Sequence, residues 1–151
     1  MNPKEPVSIL LVDDQPAKLL SYGTILAELG ENLFTASSAN EALDLLLKKE
    51  FAVVLVDVCM PELDGFELAA LIRAHPRFQK TAIILVSSLM VEDVHRLKGY
   101  TSGAVDYVSV PIIPEILRAK VAVFADLYRK TDLLQRMNQD LEQRVAARKG
   151  K

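Results

Sequence analysis

The chain has 151 residues, half of them hydrophobic, a formal net charge of −2 and a single cysteine, Cys59. That length favours one domain with a real core, and that apolar content excludes a mainly disordered chain. One cysteine excludes an intrachain disulfide and agrees with a reducing, cytoplasmic setting.

The opening "MNPKEPVS" has no apolar stretch, so no secretory signal is expected, and no apolar run nears the roughly 18 residues that span a bilayer. "VSILLVD" (7–13) reads as a strand buried on both faces. From Pro16 to about Leu29, Leu19, Leu20, Ile25, Leu26 and Leu29 recur at helical spacing, and Gly30 offers a stop. "NLFTAS" (32–37) is a weaker strand. "ANEALDLLLKK" (39–49) is a helix with Ala42, Leu43, Leu46 and Leu47 on one side. "FAVVLVD" (51–57) is the strongest strand, "CMPELDG" (59–65) is turn chemistry, and "FELAALIRA" (66–74) is a helix ending near Pro76. "AIILVS" (82–87) is a fourth strand, residues 91–101 form a helix, and "AVDYVSV" (104–110) is a fifth strand. Pro114 then opens a long helix.

Strands apolar on both faces, alternating with helices, predict a doubly wound α/β fold: five parallel strands in the order 2-1-3-4-5, helices on both faces and an extended C-terminal helix. In such sheets ligands bind beyond the carboxyl ends of the strands, where the order reverses, here between strands 1 and 3. Asp13 and Asp14 end strand 1 and Asp57 ends strand 3, so three carboxylates converge on one rim. Unaided they would raise one another's pKa and strain the fold. A hard divalent cation resolves the conflict, and Mg²⁺ with room for a phosphoryl group is the expected occupant. The competing reading is that some are solvated or capping residues; Asp14, before Pro16, suits a helix cap. Ser87 ends strand 4 and would donate to a phosphoryl oxygen, or, like Ser88, cap the next helix. Strand 5 ends on a valine, Val110.

"LLVDDQP", "VDVCMPELDGFEL", "AIILVSS" and "GAVDYVSVP" together resemble the receiver domain of two-component response regulators, over residues 7–128. The resemblance implies that Asp57 accepts a phosphoryl group from a histidine kinase or phosphotransfer protein. It implies Mg²⁺ held by Asp14 and Asp57 directly, by Asp13 through water, and by the backbone carbonyl of Cys59. Ser87 and Tyr107 match the switch hydroxyl and aromatic. Such a domain is a phosphoacceptor that assists its own phosphotransfer and dephosphorylation, not an enzyme. Gly65 suits the turn that returns the 58–64 loop over the site.

One position departs from the pattern. Receivers carry a lysine immediately before the proline after strand 5, and here it is Val110. Lys18, one turn into the first helix, is a candidate substitute; a solvent-facing lysine is the competing reading. His75 and His95 have no metal-like partner spacing, and Met60 suits loop packing.

Residues 129–151 carry seven basic against three acidic residues, which leaves residues 1–128 acidic, so direct nucleic-acid binding is not expected. Past Tyr128 the last helix meets no Gly or Pro before Gly150, and Leu127, Leu134 and Leu141 are seven apart, flanked by Met137 and Val145. This predicts a receiver over 1–128 and a helical extension over 129–151 that pairs as a parallel coiled-coil homodimer. Arg136, Asp140 and Arg144 would line its solvated face. Such helices resemble the linkers of larger signalling proteins, in which this chain would be the N-terminal receiver. The main alternative is a pseudo-receiver, an interaction and dimerisation module not switched by phosphate. A flavin carrier or an aspartate-nucleophile phosphatase is a remoter one, since no Ser/Thr/Gly-rich phosphate loop follows strand 1.

Overall fold

The computed structural model describes residues 5–87 and 103–149. The helix expected at 91–101, with His95, and the capping role of Ser88 lie outside these residues. Five strands form one parallel sheet: β1 (Ser8–Val12), β2 (Asn32–Ala36), β3 (Val53–Asp57), β4 (Ala82–Ser87) and β5 (Asp106–Ser109). Their order is β2-β1-β3-β4-β5, as the sequence predicts. The helices are α1 (Pro16–Leu26), α2 (Ala39–Lys48), α3 (Gly65–Ala74) and α4 (Pro114–Lys149). Gly30 stops the first helical segment at φ +71°, a left-handed conformation that glycine takes without a Cβ penalty.

Alternating side chains build two cores. Leu10, Val12, Val54, Val56, Ile83 and Leu85 face α2 and α3, where Ala42, Leu46, Leu68 and Ile72 meet them. Ile9, Leu11, Val53, Leu55, Ile84 and Val86 face α1 and α4, where Tyr22, Leu26, Leu117 and Val121 meet them. The three central strands are therefore buried on both sides, while the edge strands β2 and β5 are only partly so. Two helical stripes differ from expectation. Leu20 and Leu47 are exposed, and Tyr22 and the half-buried Leu45 turn inward instead. A helix face on a flat sheet covers a narrower arc than its run of leucines offers.

Caps fix the helix starts. Ser38 accepts from the Glu41 N–H at 3.1 Å, and Glu41 accepts in return from the Ser37 hydroxyl at 2.8 Å. Asp64 accepts from the Glu67 N–H at 2.8 Å, starting α3 beside the rim.

The last helix runs unbroken for 36 residues, about 54 Å at 1.5 Å per residue. Its first half lies on the globule through Leu117, Val121 and Ala125. Arg129 then pairs with Glu31 and donates to the Glu5 carbonyl at 3.0 Å. Lys80 reaches Asp132 at 3.2 Å and lies over the Tyr128 ring. Burial and the neighbouring Glu50 carboxylate push the Tyr128 hydroxyl up to about 12, so it donates to Glu50 at 3.2 Å. Past this point the helix is exposed. Arg144 pairs with Asp140 as expected, but Arg136 pairs one turn back, with Asp132. Among the described residues no helix is long and apolar enough to cross a membrane.

Candidate functional site

Register explains why the carboxylates meet. Val12 of β1 lies beside Val56 of β3, so Asp13, Asp14 and Asp57 all leave the sheet at the same edge. One ligand oxygen from each lies within 4.8 Å of the other two. Asp13 and Asp57 are buried and Asp14 is exposed.

Asp13 is held on both oxygens. Oδ1 accepts from the Gln15 N–H at 3.0 Å, and Oδ2 accepts from the Tyr22 hydroxyl at 2.8 Å. Burial first, then Asp13, pushes the Tyr22 pKa up, so the hydroxyl remains a donor. Tyr22 was not among the expected site residues. Its signal in the sequence was positional: it stands four residues before Leu26 and three after Leu19, on the helix face turned to the sheet. The residue before α1 is Gln15, whose side chain makes no capping bond, so the first turn is fixed by Asp13 and not by a cap from Asp14.

Asp57 accepts weakly from the Cys59 N–H at 3.4 Å and lies 3.8 Å from the Lys18 ammonium. Its pKa is raised, chiefly by burial and then by Asp13, with a smaller push from Asp14; Lys18 and the Cys59 N–H oppose the rise. The solvent-facing reading of Lys18 is thereby corrected. Among the described residues it is the one cation within 4.0 Å of any of the three carboxylates, and the one it reaches is Asp57. The Cys59 side chain is exposed, and Met60 packs into the core as expected of a loop residue.

Gly65 is required by close approach. A Cβ there would lie 2.5 Å from the Asp57 carbonyl oxygen and 2.8 Å from the Val58 Cα. Its N–H donates to the Val58 carbonyl at 3.0 Å, closing the loop over the rim.

Ser87 is buried at the end of β4, the strand next to Asp57, opposite Ser109. The Val110 N–H donates to the Ser87 carbonyl at 3.0 Å, so Val110 also stands at the rim, 39% exposed. Tyr107 pairs with Leu85, two residues back and about 7 Å along the strand, so it lies away from the carboxylate group, half-buried on the α2–α3 core. Lys120 of α4 holds β5 by donating to Asp106 and to the Tyr107 carbonyl, both at 2.9 Å. His75 is remote; its Nδ1 accepts from the Arg77 N–H at 3.2 Å.

Comparison with known proteins agrees with this architecture. The response regulator receiver domain family matches residues 9–122. Response regulator Rre1 of Synechocystis is 34% identical over 119 residues, 78% of this chain and 51% of that protein. A probable cyclic di-GMP phosphodiesterase of Vibrio cholerae is 31% identical over 143 residues, 95% of this chain and 32% of that protein. The chain thus spans about half of the first of these relatives and about a third of the second. The crystal structure of a CheY-like response regulator receiver domain protein from Methanospirillum hungatei superposes with a TM-score of 0.75 at 28% identity, covering 84% of this chain and 99% of that one. With the fold, the strand order and the rim of carboxylates in agreement, the chain belongs to the receiver domain family of two-component response regulators.

Proposed function

We propose that Asp57 is the phosphoacceptor of this receiver, and that Asp14, Asp57 and the Cys59 carbonyl bind Mg²⁺ directly, with Asp13 acting through water. The observation that carries this is the convergence of three carboxylates within 4.8 Å, two of them buried. The donor set fits the ion, being oxygen only, with Asp14 open to the water that Mg²⁺ retains. Asp13 already accepts two hydrogen bonds, which favours a water-mediated role for it. When bound, the ion supplies positive charge against the carboxylates and the incoming phosphoryl oxygens.

The chain's own contribution is positioning. An Asp57 carboxylate oxygen attacks the phosphorus of a phosphohistidine on a histidine kinase or phosphotransfer protein. The P–N bond breaks, its electron pair stays on the imidazole, which takes up a proton, and Asp57 becomes an aspartyl phosphate. Ser87 offers a hydroxyl on the adjacent strand, and Tyr107 follows its movement from the β5 side. Residues 1–128 act as the receiver. Residues 129–151 are a helical extension that carries the signal by pairing with a second copy of the chain.

Incubation with acetyl phosphate, with and without Mg²⁺, followed by intact mass measurement tests this. One phosphoryl group should be gained, on Asp57 and only with the ion. Asp57→Asn should abolish the gain and Asp14→Ala should reduce it strongly. A phosphoryl group mapped to Ser87, or unchanged labelling of Asp57→Asn, would overturn the assignment. Val110 favours a second reading, a pseudo-receiver that binds partners without phosphate; a wild-type chain that takes no phosphoryl group would support it.

A further inference from the structure

We propose that Lys18, on the first helix, is the cation that receives the phosphoryl group on Asp57; this rests on Asp57 being the phosphoacceptor. Lys18 Nζ stands 3.8 Å from Asp57 Oδ2. That is close enough for charge attraction and too long for a hydrogen bond, so the ammonium is not committed to the carboxylate. A phosphoryl group added to Asp57 brings oxygens that an ammonium binds by short, charge-assisted hydrogen bonds.

Two features of the fold aim Lys18 there. The first turn of α1 is fixed by Pro16, by the Asp13–Gln15 bond and by the Lys18 N–H donating to the Gln15 carbonyl at 3.1 Å. The lysine therefore leaves the helix beside the rim. Lys18 also lines a cleft of about 690 Å³ whose lining includes Val110 and Pro111. An apolar wall of this kind suits the methylene stem of a lysine while its ammonium stays at the polar end. Val110 itself offers no charge at the end of β5, so the phosphoryl group would be read by α1 and not by β5.

The opposing effects of Lys18 on metal and on phosphate make the idea testable. A cation beside a ligand carboxylate competes with Mg²⁺ but attracts a phosphoryl group. Lys18→Ala should therefore bind Mg²⁺ as tightly as wild type or several-fold more tightly by calorimetry. The same variant should accept phosphoryl groups from acetyl phosphate about tenfold more slowly at saturating Mg²⁺, a modest loss because the side chain is 31% exposed. Lys18→Arg should recover most of the rate, and Val110→Lys should restore it in the Lys18→Ala background. Lys18→Met keeps the apolar stem and guards against collapse of the cleft wall; it should behave as Lys18→Ala. If Lys18→Ala and Lys18→Met are labelled as fast as wild type, the role of Lys18 is wrong and that of Asp57 stands. If both lose Mg²⁺ affinity and thermal stability along with the rate, Lys18 is structural only and the inference falls. If the wild-type chain itself takes no phosphoryl group on Asp57, both readings fall together.

Discussion

Replacing Asp57 by asparagine should make the metal-free protein more stable at neutral pH. Asp57 is 1% exposed, so its carboxylate has lost almost all its water. Asp13 and Asp57 present oxygens within 4.8 Å, a repulsion of about 3.5 kcal/mol at an effective dielectric of about 20. Lys18 at 3.8 Å opposes this, but its side chain is 31% exposed and solvent screens the attraction, so it returns less than Asp13 takes. Lys18 offsets only part of the repulsion from Asp13 and Asp14, and burial remains the first cause of the raised pKa. Asparagine keeps the shape, still accepts from the Cys59 N–H and carries no charge. A gain of about 1–2 kcal/mol is expected, or about 2–8 °C in Tm for a chain of this size. The sign follows from the folded pKa lying above the unfolded one. The contribution of Asp57 to stability is then fully present below the unfolded carboxylate pKa of about 3.9 and is lost as pH rises through the folded value. The advantage of Asp57→Asn should be largest near neutrality and vanish towards acid. Thermal unfolding by circular dichroism in a chelator, across that range, measures it. Added Mg²⁺ should then raise the wild-type Tm by mass action and leave the variant nearly unmoved. An advantage independent of pH, or a variant less stable than wild type near neutrality, would refute the electrostatic reasoning.

Gly65→Ala should cost about 1–3 kcal/mol in urea unfolding and weaken Mg²⁺ binding, because the new methyl meets Asp57 and Val58 backbone that cannot swing aside; a neutral result would show that the 58–64 loop yields freely. Tyr22→Phe removes one of two donors from a fully buried Asp13 and should cost about 1–3 kcal/mol without changing the helix; unchanged stability would mean that water replaces the hydroxyl.

The strands easiest to read were those whose both faces are buried. β1, β3 and β4 are unbroken apolar runs because helices cover each side of them. The weaker signal of β2 has the same cause in reverse, since it is an edge strand with exposed positions. The carboxylate rim was legible because strand order alone brings the ends of β1 and β3 together. Lys18 was legible only as one of two alternatives, because the direction of a four-carbon side chain is set by Asp57 and Val110, which are distant in sequence. The inward Tyr22 was hidden for a related reason. An aromatic residue in an apolar helix resembles core until its hydroxyl partner is known. The bond from Arg129 to Glu31, nearly a hundred positions apart, has no local sequence signal at all.

The C-terminal helix has one buried face and one exposed apolar stripe. Leu117, Val121 and Ala125 are buried against the sheet. Leu127 lies two residues past Ala125, about 200° around the helix; it borders the globule beside Lys80 and Val105 and opens a stripe that continues past it. Along that stripe Leu127, Leu134 and Leu141 are 55%, 64% and 56% exposed. The companion seam positions of the same heptad are Val123, Lys130, Met137 and Arg144, alternately apolar and charged. A coiled coil built on this pattern gains leucine burial at every turn of the repeat and loses part of it to charges at the seam. We therefore expect a weak homodimer, with a dissociation constant on the order of micromolar. Deleting residues 129–151 would not test this cleanly, because it also strips Glu31 of Arg129 and Lys80 of Asp132. Leu134→Glu combined with Leu141→Glu touches only the exposed stripe. Sedimentation should find the double variant monomeric, with an unchanged thermal transition of the globule, and Lys130→Leu should tighten the wild-type association. A wild-type chain that stays monomeric well above micromolar concentration, or a double variant that still dimerises, would show that the helix is not the pairing element.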